Sequence, residues 1–176
     1  VIDPSWDLEK LTEIINEQNL NPKYIVNTHW HDDHTRGNEE LAKELSVKIV
    51  RHSDSHIKND LTVSDGDSIK FGCSELAVYH TPGHSKDGIC LVGDGKIFSG
   101  DTLFVGNCGR IDLPGGSAKE LYHSLFDTIG NLDDNLVLYP GHDYGSAITT
   151  TIGKEKQTNP VMQKMSEVEF VKRMCG

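Results

Sequence analysis

Hydrophobic residues recur at helical spacing in two segments of the first third of the chain. Over Asp7–Leu20 this spacing predicts a helix, which must end before Pro22 because proline disfavours helix in the preceding residue. A second helix is predicted over Asn38–Leu45. Short β-prone runs at Lys23–Asn27 and Val47–Val50 flank that helix. Together these segments predict a β-loop-α-β unit.

The middle of the chain changes to short strands separated by turns rich in glycine and aspartate, which is typical of antiparallel sheet. The predicted strands are Asp67–Phe71, Glu75–His80, Ile89–Val92 and Lys96–Phe98. A helix then begins at Ser117, a last buried strand covers Leu136–Tyr139, and two short helices lie between Thr149 and Met174. Strands flanked by helices at both ends favour an α/β sandwich with helices on the outer faces of packed sheets.

Composition and charge argue against several classes of protein. The chain has 176 residues and is predicted to form one domain over 1–176. A formal net charge of −10 at pH 7 without a basic cluster argues against nucleic acid and anionic membranes as partners. No run approaches the roughly 18 apolar residues of a membrane span. The four cysteines form no CxxC pair, so we expect reduced thiols and a cytoplasmic location, or an organelle matrix after loss of a presequence.

The segment Thr28-His29-Trp30-His31-Asp32-Asp33-His34 follows directly after a predicted strand. It brings three imidazoles and two candidate carboxylates into a few positions, which packing does not require. Two histidines separated by one residue point the same way from an extended backbone, whereas Asp33 and His34 lie where the chain turns into a helix. One loop is therefore able to supply two adjacent metal sites.

Three further motifs each place one polar residue after a strand and a glycine. These are Thr81-Pro82-Gly83-His84, Ser99-Gly100-Asp101 and Tyr139-Pro140-Gly141-His142. Imidazole nitrogen and carboxylate oxygen suit zinc and iron, and the lack of a thiolate cluster argues against structural zinc or an iron-sulfur site. The predicted metal ligands are His29, His31, Asp33, His34, His84, Asp101 and His142.

This set of motifs, in this order, resembles the metallo-β-lactamase superfamily, which implies an αββα sandwich with the metals at the strand ends of one edge. Asp3 in Val1-Ile2-Asp3-Pro4 matches the first acidic position of the family. Family members have strands before this point. We therefore expect the chain to begin inside the first sheet, as an N-terminally incomplete domain.

Within the superfamily, Gly100–Phe104 and Cys108–Arg110 resemble the glutathione-thiol branch of glyoxalase II and the persulfide dioxygenases. Glyoxalase II carries a helical glutathione-binding domain after its last histidine, whereas only residues 143–176 follow His142 here. The segments Thr151–Pro160 and Glu169–Lys172 resemble the persulfide dioxygenase pattern.

The resemblance to persulfide dioxygenases implies an enzyme that oxidises glutathione persulfide with O₂ to sulfite and glutathione. It implies one Fe(II) per chain held by the catalytic residues His29, His84 and Asp101, an arrangement that leaves coordination positions open. The other four predicted ligands would then support the site by hydrogen bonds. Arg110 would pair with a substrate carboxylate and Tyr144 would donate a hydrogen bond to the substrate.

A second function stays open at this point, because all seven ligands of a two-metal site are present. In a glyoxalase II-like hydrolase, two zinc ions or mixed zinc and iron would activate water to cleave a hydroxyacylglutathione thioester. His29, His31 and His84 would hold one metal, and Asp101 would bridge to the second. Asp33, His34 and His142 would hold that second metal. Either function implies a small thiol-derived substrate, and a homodimer is compatible with the sequence.

Overall fold

The computed structural model describes residues 1–176, and the first part of the chain builds a small parallel sheet. Strands β1 (Tyr24–Val26), β2 (Lys48–His52) and β3 (Leu61–Val63) lie side by side in that order. Ile2 adds a parallel bridge to Val26 on the other side of β1. The strands that the family resemblance places before Asp3 stay a prediction.

A second sheet of six strands follows. The strands after β3 are β4 (Ser68–Phe71), β5 (Ser74–His80), β6 (Ile89–Gly93), β7 (Lys96–Gly100), β8 (Leu103–Phe104), β9 (Asn107–Cys108), β10 (Val137–Pro140) and β11 (Thr150–Thr151). The sheet has the order β11-β10-β7-β6-β5-β4, and every pair in it is antiparallel except β10 with β7. The predicted antiparallel middle is confirmed. Strands β8 and β9 form a separate hairpin.

Helices flank the two sheets. They are α1 (Leu8–Glu17), α2 (Asp32–Thr35), α3 (Asn38–Leu45), α4 (Ala118–His123), α5 (Ile152–Thr158) and α6 (Glu167–Cys175). Helix α4 begins after Ser117, as predicted, because the Ser117 hydroxyl accepts a hydrogen bond from the Glu120 N–H and so satisfies a free helix donor. The helix widens into a π-helical turn over Ser124–Thr128.

Alternation along the strands sorts the apolar side chains into layers. On the outer face of the small sheet, Ile25 and Ile49 pack with Leu41 of α3. The next residues along those strands, Val26 and Val50, face the larger sheet, where they share one buried cluster with β-strand residues such as Leu91. Successive residues of a strand point to opposite faces, so both faces of the small sheet are buried.

Helices from the C-terminal half of the chain, among them α4 and α6, cover the outer face of the larger sheet. Cys90, Ile97 and Leu138 of this face pack with Leu121 of α4 and Phe170 of α6 in the largest buried cluster. The layers therefore run helix, sheet, sheet, helix, which confirms the predicted αββα sandwich. None of the helices has the length and apolar character that crossing a membrane requires.

Two details differ from the sequence prediction. Helix α1 ends at Glu17 rather than near Leu20, because Asn19 takes the left-handed conformation with φ 51° and its N–H returns to the Asn16 carbonyl. Strands β3, β8, β9 and β11 were not predicted. Each has only two or three residues, too few for an alternating pattern to be read.

Candidate metal centre

The seven predicted ligands come together at one edge of the sandwich, each at or just after the end of a strand. The loop after β1 supplies four of them, and the ends of β5, β7 and β10 lead to His84, Asp101 and His142. Five are buried, whereas His142 and Asp33 lie towards the surface with 23% and 50% of their side chains exposed. The buried members are His29, His31, His34, His84 and Asp101.

Three histidines form the inner group of this centre. One ring nitrogen from each of His29, His31 and His84 lies within 4.8 Å of the others. His84 Nε2 is 2.9 Å from His31 Nδ1. The Nε2 atoms of His29 and His31 are buried without any hydrogen-bond partner. Buried polar atoms are normally paired, so these orphaned nitrogens fit a metal ion as their partner.

A second group lies closer to the surface. His34, His142 and Asp33 offer ligand atoms within 4.8 Å of one another. His142 Nε2 is 3.2 Å from His34 Nε2 and 3.3 Å from Asp33 Oδ2. The arrangement fits a second cation as well as it fits a hydrogen-bonded cluster, because two imidazoles and a carboxylate serve both purposes.

Asp101 faces both groups at once. Its Oδ2 is 3.5 Å from His84 Nε2 and 3.4 Å from His142 Nε2, and its Oδ1 is 3.3 Å from His34 Nε2. A single carboxylate thus lies between the inner and the outer histidines. This position is compatible with a ligand of one metal and with a bridge between two.

The hydrogen bonds of Thr28 determine which nitrogen of His29 carries a proton. Thr28 Oγ1 donates its only proton to Asp3 Oδ2 at 2.6 Å, because a carboxylate only accepts. The contact of 3.1 Å between Thr28 Oγ1 and His29 Nδ1 therefore needs the imidazole as donor. His29 keeps its proton on Nδ1, and the buried Nε2 presents a free lone pair to the centre.

His84 is oriented in the same way by a backbone carbonyl. Its Nδ1 lies 2.7 Å from the Arg110 carbonyl oxygen, which only accepts, so Nδ1 donates. The Nε2 lone pair is then directed towards His31 and Asp101. His29 and His84 are thus both held in the tautomer that leaves Nε2 free to bind a metal.

Asp3 also belongs to the centre by its contacts, although it is not among the predicted metal ligands. Its carboxylate accepts hydrogen bonds from the Thr28 N–H at 2.8 Å, from the Thr28 hydroxyl, and from His34 Nδ1 at 2.9 Å. Asp3 takes the left-handed conformation with φ 46°, which is uncommon outside glycine and concentrates at functional sites. The match of Asp3 to an acidic family position was the available signal.

These contacts, together with burial, determine which histidines and carboxylates of the centre are ionised. Burial alone would lower the pKa of His34, but hydrogen bonds to Asp101 and Asp3 outweigh burial and raise that pKa to about 10. Burial would raise the pKa of Asp101, yet hydrogen bonds from His142 and His34 hold it well below its usual range. Burial and neighbouring histidines lower the pKa of His29 and His31. His29 and His31 are therefore neutral at neutral pH beside an ionised carboxylate, as metal ligation needs.

Glycine lets the last strand approach this carboxylate. A Cβ atom at Gly141 would lie 2.4 Å from Asp101 Oδ1 and 2.9 Å from His34 Cε1. Real Cβ atoms do not come this close to a neighbouring atom. The glycine that precedes His142 is thus required by close packing of the centre.

The two predicted substrate contacts lie on the exposed side. Arg110 forms an ion pair with Asp112, with Nε to Oδ1 at 2.6 Å, and its side chain is 63% exposed. Tyr144 is 71% exposed, and its ring stacks on His142 with centroids 4.7 Å apart. Both side chains are accessible from solvent, although Arg110 is already paired with Asp112.

A further cluster, His52, Asp54 and His80, lies at the ends of β2 and β5. The two imidazoles stack in nearly parallel planes, with centroids 4.0 Å apart. His52 Nδ1 accepts the Asp54 N–H, and His80 Nε2 donates to the Lys86 carbonyl. Lone pairs in parallel planes do not converge on one ion, so this cluster differs from the centre described above.

Comparison with known proteins agrees with this geometry. The family model of the metallo-beta-lactamase superfamily matches residues 1–142, the part of the chain that contains every predicted ligand. The chain belongs to the metallo-beta-lactamase superfamily. The predicted resemblance to this superfamily is confirmed.

Individual members of the superfamily span nearly the whole chain. Human mitochondrial persulfide dioxygenase ETHE1 is 38% identical over 99% of this chain and 70% of its own length. The crystal structure of ETHE1 from Myxococcus xanthus superposes with a TM-score of 0.95 at 31% identity, over 99% of this chain and 78% of that one. A hydroxyacylglutathione hydrolase from Tolumonas auensis is 37% identical over 82% of this chain and 57% of its own length.

Proposed function

We propose that this chain is a persulfide dioxygenase that oxidises the outer sulfur of a glutathione persulfide. The observation that carries the proposal is the similarity to human persulfide dioxygenase over 99% of the chain, including α5 and α6 after the last predicted ligand. The centre supports an enzyme, because neutral imidazoles, an ionised carboxylate and exposed substrate-facing side chains meet at one edge. The balanced reaction takes one persulfide, one O₂ and one water to one thiol, one sulfite and two protons.

His29, His84 and Asp101 would hold a single Fe(II). The unpartnered Nε2 of His29, the Nε2 that His84 directs to the centre and the Asp101 carboxylate fit this ion, since two histidines and one carboxylate leave positions open on one face. When bound, the iron supplies the redox chemistry between the persulfide sulfur and O₂. The other residues around the centre would bind the substrate, orient the three ligands and shield the site from water.

The other four predicted ligands would support these three residues by direct contact or through one another. His31 packs against His84, and the Nε2 atoms of His34 and His142 lie 3.3 Å and 3.4 Å from the Asp101 carboxylate oxygens, where they would help to hold its orientation. Asp33 in turn contacts His142. Such support is worth about 10- to 100-fold in metal affinity or activity.

Arg110 and Tyr144 would bind the glutathione part of the substrate. Glutathione carries carboxylates, and the planar guanidinium of Arg110 already pairs with the Asp112 carboxylate in two hydrogen bonds. A substrate carboxylate would replace Asp112 in that pairing. Tyr144, stacked on His142, would place its hydroxyl beside the bound thiol derivative.

A second candidate function is hydrolysis of a hydroxyacylglutathione thioester by two metals, either zinc or mixed zinc and iron. It is favoured by the position of Asp101 within 3.5 Å of both His84 and His142, between two complete ligand groups. The similarity to the hydrolase from Tolumonas auensis points the same way.

The two functions separate in one experiment. Protein purified without oxygen is analysed for iron and zinc, and the same sample is given glutathione persulfide with an oxygen electrode and, separately, S-lactoylglutathione with ultraviolet detection. We expect about one iron per chain and O₂ uptake that requires the persulfide. Two metals per chain with thioester cleavage and no O₂ uptake would establish the hydrolase instead.

The compartment belongs to the same proposal. The sequence predicts the cytoplasm or an organelle matrix, and the human relative is a mitochondrial protein by name. A matrix or cytoplasmic location would supply glutathione as the carrier thiol. Fractionation of the source cells, with this chain detected by antibody, tests that prediction.

A further inference from the structure

A carboxyl group is buried in helix α5, outside the metal centre. Glu155 is 1% exposed, and Asn159, one helical turn later, is 0% exposed. Burying a carboxyl group is costly unless hydrogen bonds replace the lost water. The hydrogen-bond partners of Glu155 and Asn159 therefore show which part of the fold these two side chains hold in place.

The partners lie in the hairpin formed by β8 and β9. Glu155 Oε2 accepts the Gly106 N–H at 2.8 Å and the Asn159 side-chain amide at 2.9 Å. The same Asn159 amide group reaches the Asn107 carbonyl at 3.1 Å. Asn159 Oδ1 accepts the Val161 N–H, which keeps the asparagine itself in place. Two buried side chains thus bind the hairpin to α5.

The hairpin lies beside the outer residues of the centre. It begins two residues after Asp101, and the Phe104 ring lies edge-on to Tyr144, with centroids 5.5 Å apart, and to His142 at 6.1 Å. The Tyr144 segment packs closely on it, since a Cβ at Gly145 would lie 2.6 Å from Val105 Cβ. A shift of the hairpin would move the aromatic rings beside His142.

We propose that Glu155 and Asn159 are positioning residues for substrate, which hold the 103–108 hairpin so that Phe104 and Tyr144 take the spacing that the substrate needs. The inference rests on the proposed function for the identity of the substrate. Neither residue contacts a predicted metal ligand, so loss of the pair should change substrate binding and leave the metal in place. Small displacements of binding groups are known to cost up to about 100-fold in rate.

The test compares Glu155→Ala with the conservative Glu155→Gln in the metal-loaded protein. Glutamine retains an oxygen that accepts from both Gly106 and Asn159, so Glu155→Gln should restore wild-type behaviour. Gln157→Ala, an exposed change in the same helix, is the matched control. For Glu155→Ala we expect a KM for glutathione persulfide about 10-fold higher, kcat and metal content near wild type, and faster hydrogen exchange of the Gly106 amide.

Asn159→Asp tests the same positioning role if Glu155→Ala does not fold. Aspartate retains the oxygen that accepts from Val161 but replaces the donor amide by an oxygen facing Glu155. We expect the same rise in KM and the same faster exchange at Gly106. Unchanged KM in a folded variant with rapid Gly106 exchange would overturn the positioning role.

Calorimetric titration with glutathione separates the two proposals. If the wild type binds glutathione and Glu155→Ala binds it as tightly, the positioning inference is wrong and the proposed function is unaffected. If the wild type neither binds glutathione nor consumes O₂ with the persulfide, the proposed function fails. The Gly106 exchange rates then still report whether the pair holds the hairpin.

Discussion

His34 Nδ1 donates a hydrogen bond of 2.9 Å to Asp3 Oδ2, across 31 positions of the sequence. The bond links the N-terminal segment to the loop that carries four predicted ligands. Asp3 also receives the Thr28 hydroxyl, whose oxygen in turn accepts from His29 Nδ1. One carboxylate therefore orients a histidine of the inner group and a histidine of the outer group.

Replacing Asp3 by asparagine should weaken metal binding. Oδ2 accepts from the Thr28 hydroxyl and from His34, and Oδ1 accepts from the Thr28 N–H, so the amide places a donor against a donor in either orientation and disturbs the orientation of the histidines. We expect about 10- to 100-fold lower metal affinity, measured by competition with a chelator. Asp7→Asn is the matched control, because Asp7 has a similar left-handed backbone and makes no side-chain cap. Equal affinity in both variants would contradict the role of Asp3.

His34→Ala and His84→Ala should differ in iron content if one metal is bound. His84 is one of three proposed ligands, so its loss should remove most of the iron. His34 contacts Asp101 from the other side, and His34→Ala should leave most of the iron bound. Metal analysis of anaerobically purified variants provides the comparison, and equal loss in both would support the two-metal hydrolase.

The four thiols should fall into two classes of reactivity. Burial raises the pKa of Cys90 to about 11 and that of Cys108 to about 12, so neither forms thiolate at neutral pH. Cys73 and Cys175 are exposed. We expect iodoacetamide at pH about 8 to modify the exposed pair and to reach the buried pair only after unfolding, as followed by mass spectrometry. Rapid alkylation of Cys108 in the folded protein would contradict its packing.

The link between α4 and α6 should depend on pH. His123 lies between two carboxylates, with Nδ1 2.6 Å from Asp127 and Nε2 3.0 Å from Glu167. The hydrogen bond to Asp127, and the negative charge of both neighbours, raise its pKa. The folded pKa thus exceeds the unfolded value, so the stabilisation is fully present below pH about 6.5 and is lost as pH rises through the folded pKa.

Thermal melts of wild type and His123→Gln test this dependence. We expect a small loss of Tm in the variant near pH 6, because the site is exposed to solvent, and no loss at high pH. A difference between the two proteins that grows with pH would contradict the assignment.

Much of the architecture is predictable from local patterns. Helix α3 covers Asn38–Leu45 as its spacing predicts, and the antiparallel strands β4 to β7 lie where alternation and turn residues place them. All seven predicted ligands share one edge, because each follows a strand. Their roles in catalysis and in substrate binding stay predictions, as does the single-domain organisation over 1–176.

The types of candidate ligand, their placement at strand ends and the superfamily are predictable from the sequence alone, since each depends on residues close together along the chain. Three relationships become visible only in the folded chain: Asp101 faces both ligand groups, Thr28 selects the tautomer of His29, and Glu155 binds a hairpin 49 positions away. These relationships depend on distances between segments that no local period encodes. They arise when the two sheets pack and bring separate loops to one edge.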